Sequence, residues 1–304
     1  MRNFLILPIL FIFLVSCSNS EDFDIPKISK LEKLEEHSNQ FIKGIYSYDN
    51  GIHVAIGFGI ANSIMVEGEG GNIIIDTTDD VSQAKEVLSE FQKINQNPIK
   101  AIIYTHNHGD HVFGASEFYN AQEEKPLVIS HSTTAEKVEK ILGIINPIIT
   151  VRSGKMFGTN LDEDELINVG LGPYLSAGRS SPGYIAPTMT FEKELKLEIA
   201  GHKVELYHAP GETDDQLFVW FPELSALMPG DNFYTTFPNL YTIRGTSHRD
   251  VIGWVNSIDK MRSLDPQYLF PSHTMPVVGE EISNALIIYR DGMQYVHDQT
   301  VRDR

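Results

Sequence analysis

His106, His108, Asp110 and His111 fall within the run Thr105-His-Asn-His-Gly-Asp-His111, three imidazoles and a carboxylate in immediate succession. Nitrogen and oxygen donors of this kind hold zinc or a similar transition-metal ion, and composition alone seldom produces such a run. The alternative, a polar surface loop, gives no reason for the histidines to crowd together. The preceding Ile99-Lys-Ala-Ile-Ile-Tyr104 reads as a buried strand, so the donors sit on the loop leaving a strand end, where α/β folds place their chemistry. On a helix, His106 and His108 would point about 200° apart. A tight loop turning at Gly109 lets all four side chains converge.

Composition bounds the partners. The 304 residues are 41% apolar and 21% charged, an ordinary globular balance. The formal charge is −17, from 41 acidic against 24 basic residues, which argues against nucleic acid and anionic lipid as primary partners. An anionic substrate would then need local positive charge. At the start, Arg2 precedes an apolar run from Phe4 to Val15, too short to span a bilayer comfortably but suited to the centre of a signal peptide. It ends in Leu14-Val15-Ser16-Cys17, which resembles the lipobox of bacterial lipoproteins; a plain secretory signal with an incidental cysteine is the other reading. The expectation is an exported chain on the periplasmic side of a bacterial membrane, lipidated at Cys17 and touching the membrane only through that lipid. With a single cysteine, stability must come from the core rather than from disulfides.

The elements that must position the donors follow from periodicity. Residues 1–17 read as the signal, 18–40 as a tether and short helix, 41–278 as the catalytic domain, and 279–304 as a terminal helix. Short turn-bounded runs at Ile42–Tyr46, Ile52–Ile56, Ser63–Glu67 and Asn72–Ile75 predict a strand meander. A helix over Ser82–Ile94, strands at 100–104 and Leu127–Ser130 and a helix at Ala135–Leu142 follow. Residues 152–189 are rich in Gly, Ser and Pro and read as a long structureless lid or pocket wall. Strands resume at Glu194–Ile199, Lys203–Tyr207, Leu217–Trp220 and Ala226–Met228, then a helix at Asp250–Ser263, a strand at Tyr268–Phe270 and a helix from about Glu280. The alternation predicts an α/β fold.

The H-x-H-x-D-H run, the upstream Ile74-Ile-Asp-Thr77, and the later Pro210-Gly-Glu-Thr213, Met228-Pro-Gly-Asp231 and Ser272-His273 together resemble the metallo-β-lactamase superfamily over about residues 42–275. That resemblance implies an αββα sandwich with two divalent metal ions, zinc by preference, between its sheets. Carried over, His106, His108 and Glu212 would bind one ion, Asp110, His111 and His273 the other, and Asp231 would bridge them. Asp76 would orient a ligand from behind. Glu212 stands where the family usually has histidine, and this departure, with Asn239-Leu-Tyr-Thr-Ile-Arg-Gly245 and Tyr289-Arg-Asp291, resembles the alkylsulfatase branch. The implied reaction is hydrolysis of an alkyl sulfate by metal-activated water, with Arg244 and Asn239 holding the sulfate. His248 is a candidate proton donor to the leaving group, and Asp110 belongs to the catalytic as well as the metal set.

Other residues are less determinate. Tyr174, Tyr184, Arg152 and Arg179 lie on the glycine-rich segment expected to roof the site. Phe157, Phe233, Tyr234 and Phe237 could line an apolar pocket or belong to the core. His37, His53, His131, His202, His208 and His297 read as structural. Typical alkylsulfatases continue into a dimerisation region and a lipid-carrier-like domain, so the expected homodimer is in question for a chain ending at Arg304. A lactonase, thioesterase or β-lactamase-like hydrolase and a non-catalytic metal-binding lipoprotein are the competing readings.

Overall fold

The computed structural model describes residues 30–162, 165–175 and 182–303. The signal-like segment with Cys17, and Arg179, lie outside the described residues. The first sheet runs in sequence order through β1 (Gly44–Ser47), β2 (Ile52–Ile56), β3 (Ser63–Gly68), β4 (Gly71–Ile75), β5 (Ile99–Ile103), β6 (Leu127–His131) and β7 (Met189–Phe191). Its early strands pair antiparallel as hairpins, and β4 to β7 pair parallel through helical crossovers. The second sheet contains β8 (Glu194–Ile199), β9 (His202–His208), β10 (Leu217–Phe221), β11 (Ala226–Met228), β12 (Tyr268–Leu269) and β13 (Val277–Val278), in the order β13-β12-β11-β10-β9-β8.

Eight α-helices accompany the sheets: α1 (Lys30–His37), α2 (Val81–Ile94), α3 (Gly109–Val112), α4 (Ala115–Asn120), α5 (Thr134–Leu142), α6 (Asn146–Met156), α7 (Val251–Arg262) and α8 (Glu281–Arg302), counted among the described residues. The central strands lack an alternation of apolar and polar residues because both their faces are covered. Every residue of β2, β4 and β10 is buried, as expected for strands with apolar layers on either side. The edge strand β8 instead alternates exposed and half-buried residues.

Three apolar layers result. Ile52, Val54, Ile73, Ile75 and Ile103 of the first sheet meet Val204, Leu206, Val219, Phe221 and Met228 of the second. On the outer face of the first sheet, Met65, Ile74, Ile102 and Val128 pack on Ala84, Val87 and Phe91 of α2 and Phe118 of α4. On the outer face of the second, Phe218, Trp220, Leu227 and Leu269 pack on Trp254 and Ile258 of α7 and Leu286 and Met293 of α8. This is the expected αββα sandwich. Asp80 starts α2 by accepting from Gln83 N–H at 2.9 Å, and Asp250 starts α7 by accepting from Gly253 N–H at 3.0 Å.

The segment expected to be a structureless lid over 152–189 is shorter at both ends. Its first residues complete α6, and Met189 already belongs to β7. Helix α6 escapes a periodicity reading because it buries no residue fully and its apolar residues form no single stripe. No described helix is long and apolar enough to cross a membrane. The inter-sheet layer should dominate stability: Ile103→Ala, at a fully buried position, should cost about 2–5 kcal/mol in chemical denaturation of the chelated protein.

Candidate metal centre

Both sheets deliver ligands to one edge of the sandwich. From the first sheet, β4 ends at Asp76 and β5 runs into the loop and turn holding residues 105–111. Asp76 N–H donates to Ile103 O at 3.0 Å, which sets these two strand ends level. From the second sheet come Glu212 between β9 and β10, Asp231 on a single 3-10 turn after β11, and His273 after β12. Leu217 N–H donates to Thr105 O at 2.9 Å, and the Asn62 amide donates to the carbonyls of Pro271 and Thr274, so the two ligand sources are stitched together.

The chain does turn at Gly109, and the turn is the first residue of a short helix. His106 lies in the bend after β5, His108 on extended backbone, and Asp110 and His111 on α3, which begins at Gly109. Asp231 reaches the same point because Gly230 adopts φ +59°; a Cβ there would stand 2.1 Å from Gln216 Nε2 and 2.8 Å from the Thr105 Cβ.

The donors form two compact sets, His106 with His108 and Asp231, and Asp110 with His111 and His273, with ligand atoms in each set within 4.8 Å of one another. Asp231 stands between them. Its Oδ2 is 3.2 Å from His273 Nε2 and 3.6 Å from His106 Nε2, and its Oδ1 is 3.4 Å from His111 Nε2. Asp110 Oδ2 is 3.3 Å from His111 Nε2 and 3.5 Å from His273 Nε2. Glu212 lies beside these sets rather than within them. One of its oxygens faces Arg249 Nη2 at 2.8 Å, while Oε2 is buried without a hydrogen-bond partner.

The rings of His111 and His273 are oriented from behind. Asp76 accepts from Thr105 N–H and Thr105 Oγ1 at 2.8 Å, from Ser272 Oγ at 2.7 Å, and its Oδ2 is 2.8 Å from His111 Nδ1. His273 Nδ1 is 2.8 Å from Ile60 O. Asn107, between the first two histidines, donates to Asp215, which also accepts from Thr134 Oγ1 at 2.8 Å. These contacts leave the opposite ring nitrogens free for a metal. Buried and without hydrogen-bond partners, His111 Nε2, Asp231 Oδ1 and Glu212 Oε2 are the kind of donor atoms that bound cations would satisfy.

Burial and charge divide the histidines. Burial, reinforced by His111, lowers His106 to about 4, and burial beside His106 and Arg244 lowers His108 well below its usual value. Both are neutral donors at pH 7. Burial works against protonation of His273 too, but Asp231 and Asp110 outweigh it and raise the ring to about 9. His111 is raised in the same way by Asp231, Asp110 and Asp76. Glu212 is raised to about 7 by burial and by the Asp231 charge, against the pull of Arg249.

A profile described as "Metallo-beta-lactamase superfamily" matches residues 56–273, the span from β2 to the last histidine of this centre. The chain belongs to this superfamily. Among its members, a linear primary-alkylsulfatase of a Pseudomonas species is 40% identical over 245 residues, covering 78% of this chain and 46% of that protein. An alkyl/aryl-sulfatase of Saccharomyces cerevisiae is 27% identical, covering 86% of this chain and 42% of its own. The solved structure of a stereoselective inverting sec-alkylsulfatase from a Pseudomonas species superposes with a TM-score of 0.81 at 23% identity, covering 90% of this chain and 44% of that one. This chain thus spans under half the length of these relatives.

A cavity of about 500 Å³ opens from the metal-ligand sets, with His108, Asp110, Glu212, Asp231 and His273 among its lining residues. Asn239, Arg244 and His248 also line it. Of the segment expected to roof the site, Phe157 lines the cavity, whereas Tyr184 packs against Tyr104 and the Tyr174 hydroxyl donates to Phe58 O at 3.3 Å. Phe233 and Tyr234 are core residues, and Phe237 is exposed away from the cavity lining. Sequence reasoning missed Arg249. Standing just before a helix N-cap, it reads as a solvated residue, yet it is 4% exposed and paired with Glu212.

Two outcomes follow. Asp76→Ala should weaken metal affinity about 10- to 100-fold, measured by competition with a chromophoric chelator. Because His273 and His111 are protonated at pH 7 and ligate only as neutral rings, metal uptake should release protons: calorimetric heats should vary with the buffer's ionisation enthalpy, and affinity should climb as pH rises towards about 9.

Proposed function

We propose that the chain hydrolyses alkyl sulfate esters to alcohol and sulfate at a centre of two divalent metal ions, zinc being the choice that suits a donor set of imidazoles and carboxylates. The observation that carries this reading is the cavity's mixed lining. Arg244 and Asn239 share it with the metal-ligand candidates and with the apolar side chains of Ile141 and Leu142 of α5, Ile145 at the start of α6, Ile149 of α6, and Phe157. A charged head on an apolar chain would meet both kinds of lining. The naming of the relatives as alkylsulfatases supports the same reading.

Charge supports it as well. In a chain of net charge −17, Arg244 is a largely desolvated cation, its pKa lowered by burial and partly restored by Asp110 and Glu212. Among the described residues it has no ion-pair partner within the structure. Its planar fork therefore remains available to grip two sulfate oxygens, and the Asn239 amide adds a neutral donor. Bound metal ions would polarise the ester and supply hydroxide at neutral pH. The protein's own part is to hold the sulfate at Arg244 and Asn239, keep the alkyl chain against α5 and α6, and exclude water from that wall. His248 is exposed and lines the cavity, placed to pass a proton to a departing group.

We further propose export with lipidation at Cys17, with the membrane reached only through that anchor, and a small anionic ester as the partner. Homodimerisation belongs to the same proposal.

The purified chain starting after Cys17 should release sulfate from dodecyl sulfate, stop when chelated, and recover on zinc addition. Arg244→Ala should lower kcat/KM about 10²- to 10³-fold while metal content stays unchanged. A folded, metal-loaded chain that releases sulfate from no alkyl ester would defeat the reading, and lactones, thioesters and phosphoesters would then be assayed.

A further inference from the structure

The backbone of Asn239 is held on both sides by residues that also touch the metal-ligand sets. Its N–H donates to the Tyr234 hydroxyl at 2.8 Å, and its carbonyl accepts from Arg249 Nη1. Tyr234 is fully buried, and its ring stands edge-on to that of His273 with centroids 6.0 Å apart. Arg249 Nη2 pairs with Glu212 Oε1 at 2.8 Å, the two side chains 1% and 3% exposed. One guanidinium thus spans a metal-ligand candidate and the strip of chain that carries Asn239 and Arg244.

A planar guanidinium points its donors in fixed directions, so moving the carboxylate at one arm moves what the other arm can hold. In this structure Glu212 Oε1 is ion-paired with Arg249 Nη2 without an aligned hydrogen bond, and the second oxygen, Oε2, has no hydrogen-bond partner. A cation engaging that second oxygen would fix the carboxylate, and through it Arg249 and the Asn239 carbonyl.

We propose that Arg249 and Tyr234 are positioning residues that reference the Asn239 backbone to Glu212 and His273, so that residues 239–245 settle into anion-holding geometry when the metal centre fills. This rests on the reading of Asn239 and Arg244 as the anion-holding end. By linkage, metal ions and a bound anion then favour each other.

The test is amide hydrogen exchange on the full chain, chelated and zinc-loaded, for peptides covering residues 236–249, with metal content and KM and kcat for dodecyl sulfate measured alongside. Wild type should show about tenfold slower exchange in this segment on loading. Tyr234→Phe, which removes only the hydroxyl, and Arg249→Lys, which keeps the charge but not the fork, should retain metal yet lose most of that protection, raising KM more than they lower kcat. Equal exchange in chelated and loaded wild type overturns the proposal. So does metal-dependent protection that survives in both variants, because the clamp would then be ordinary packing. Protection in wild type without any sulfate release supports the clamp while counting against the sulfatase reading.

Discussion

The Asp76 carboxylate is the anchor of the site. It sits in the left-handed region at φ +57°, a conformation that Asp tolerates better than most residues, and it is completely buried. From there it collects Thr105 and His111 of the first sheet and Ser272 of the second. A buried carboxylate is costly unless its lone pairs are filled, and here each contact that fills one also places a strand end or a ligand. Thr77 extends the arrangement, its N–H and hydroxyl both donating to His111 O. The ring of His111 is therefore fixed at its back nitrogen and at its own carbonyl, leaving Nε2 as its free coordinate.

Around that anchor the fold concentrates opposite charges where neither alone would be stable. Asp110 and Asp231 are held below the usual carboxylate range, burial working against them and His111 and His273 with them. The same acidic groups raise His111 and His273, a balance that the positive charge of a metal would also serve. Arg244 and Arg249 face the same acidic groups. Arg244 thus brings positive charge to a cavity whose lining also holds Asp110, Glu212 and Asp231.

Much of this was legible in the residues themselves. The run from His106 to His111, the turn-bounded strands and the Gly-Asp and Gly-Glu turns carry local signals, and they identify both the layers and most of the ligands. What escaped depends on contacts between distant segments. Arg249 acquires its role only when Glu212 is folded against it, and nothing within several residues of either announces that meeting. Helix α6 was hidden for a different reason: its isoleucines face a cavity on one side and solvent on the other, so no single apolar stripe emerges.

The ligands enter in an order that the chain cannot rearrange. His106 and His273 are separated by β6, β7 and every strand of the second sheet but β13, and Asn62, from the opening meander, reaches the carbonyls that flank His273. Closing so long a loop carries an entropic cost that only the docked sheets can repay, so the centre is among the last features to form as the chain folds. During synthesis, a ribosome that has released the first histidines still has to deliver most of the domain before a complete cage exists. A cation met before the later ligands are in place would find only the part of its cage that residues 106–111 supply.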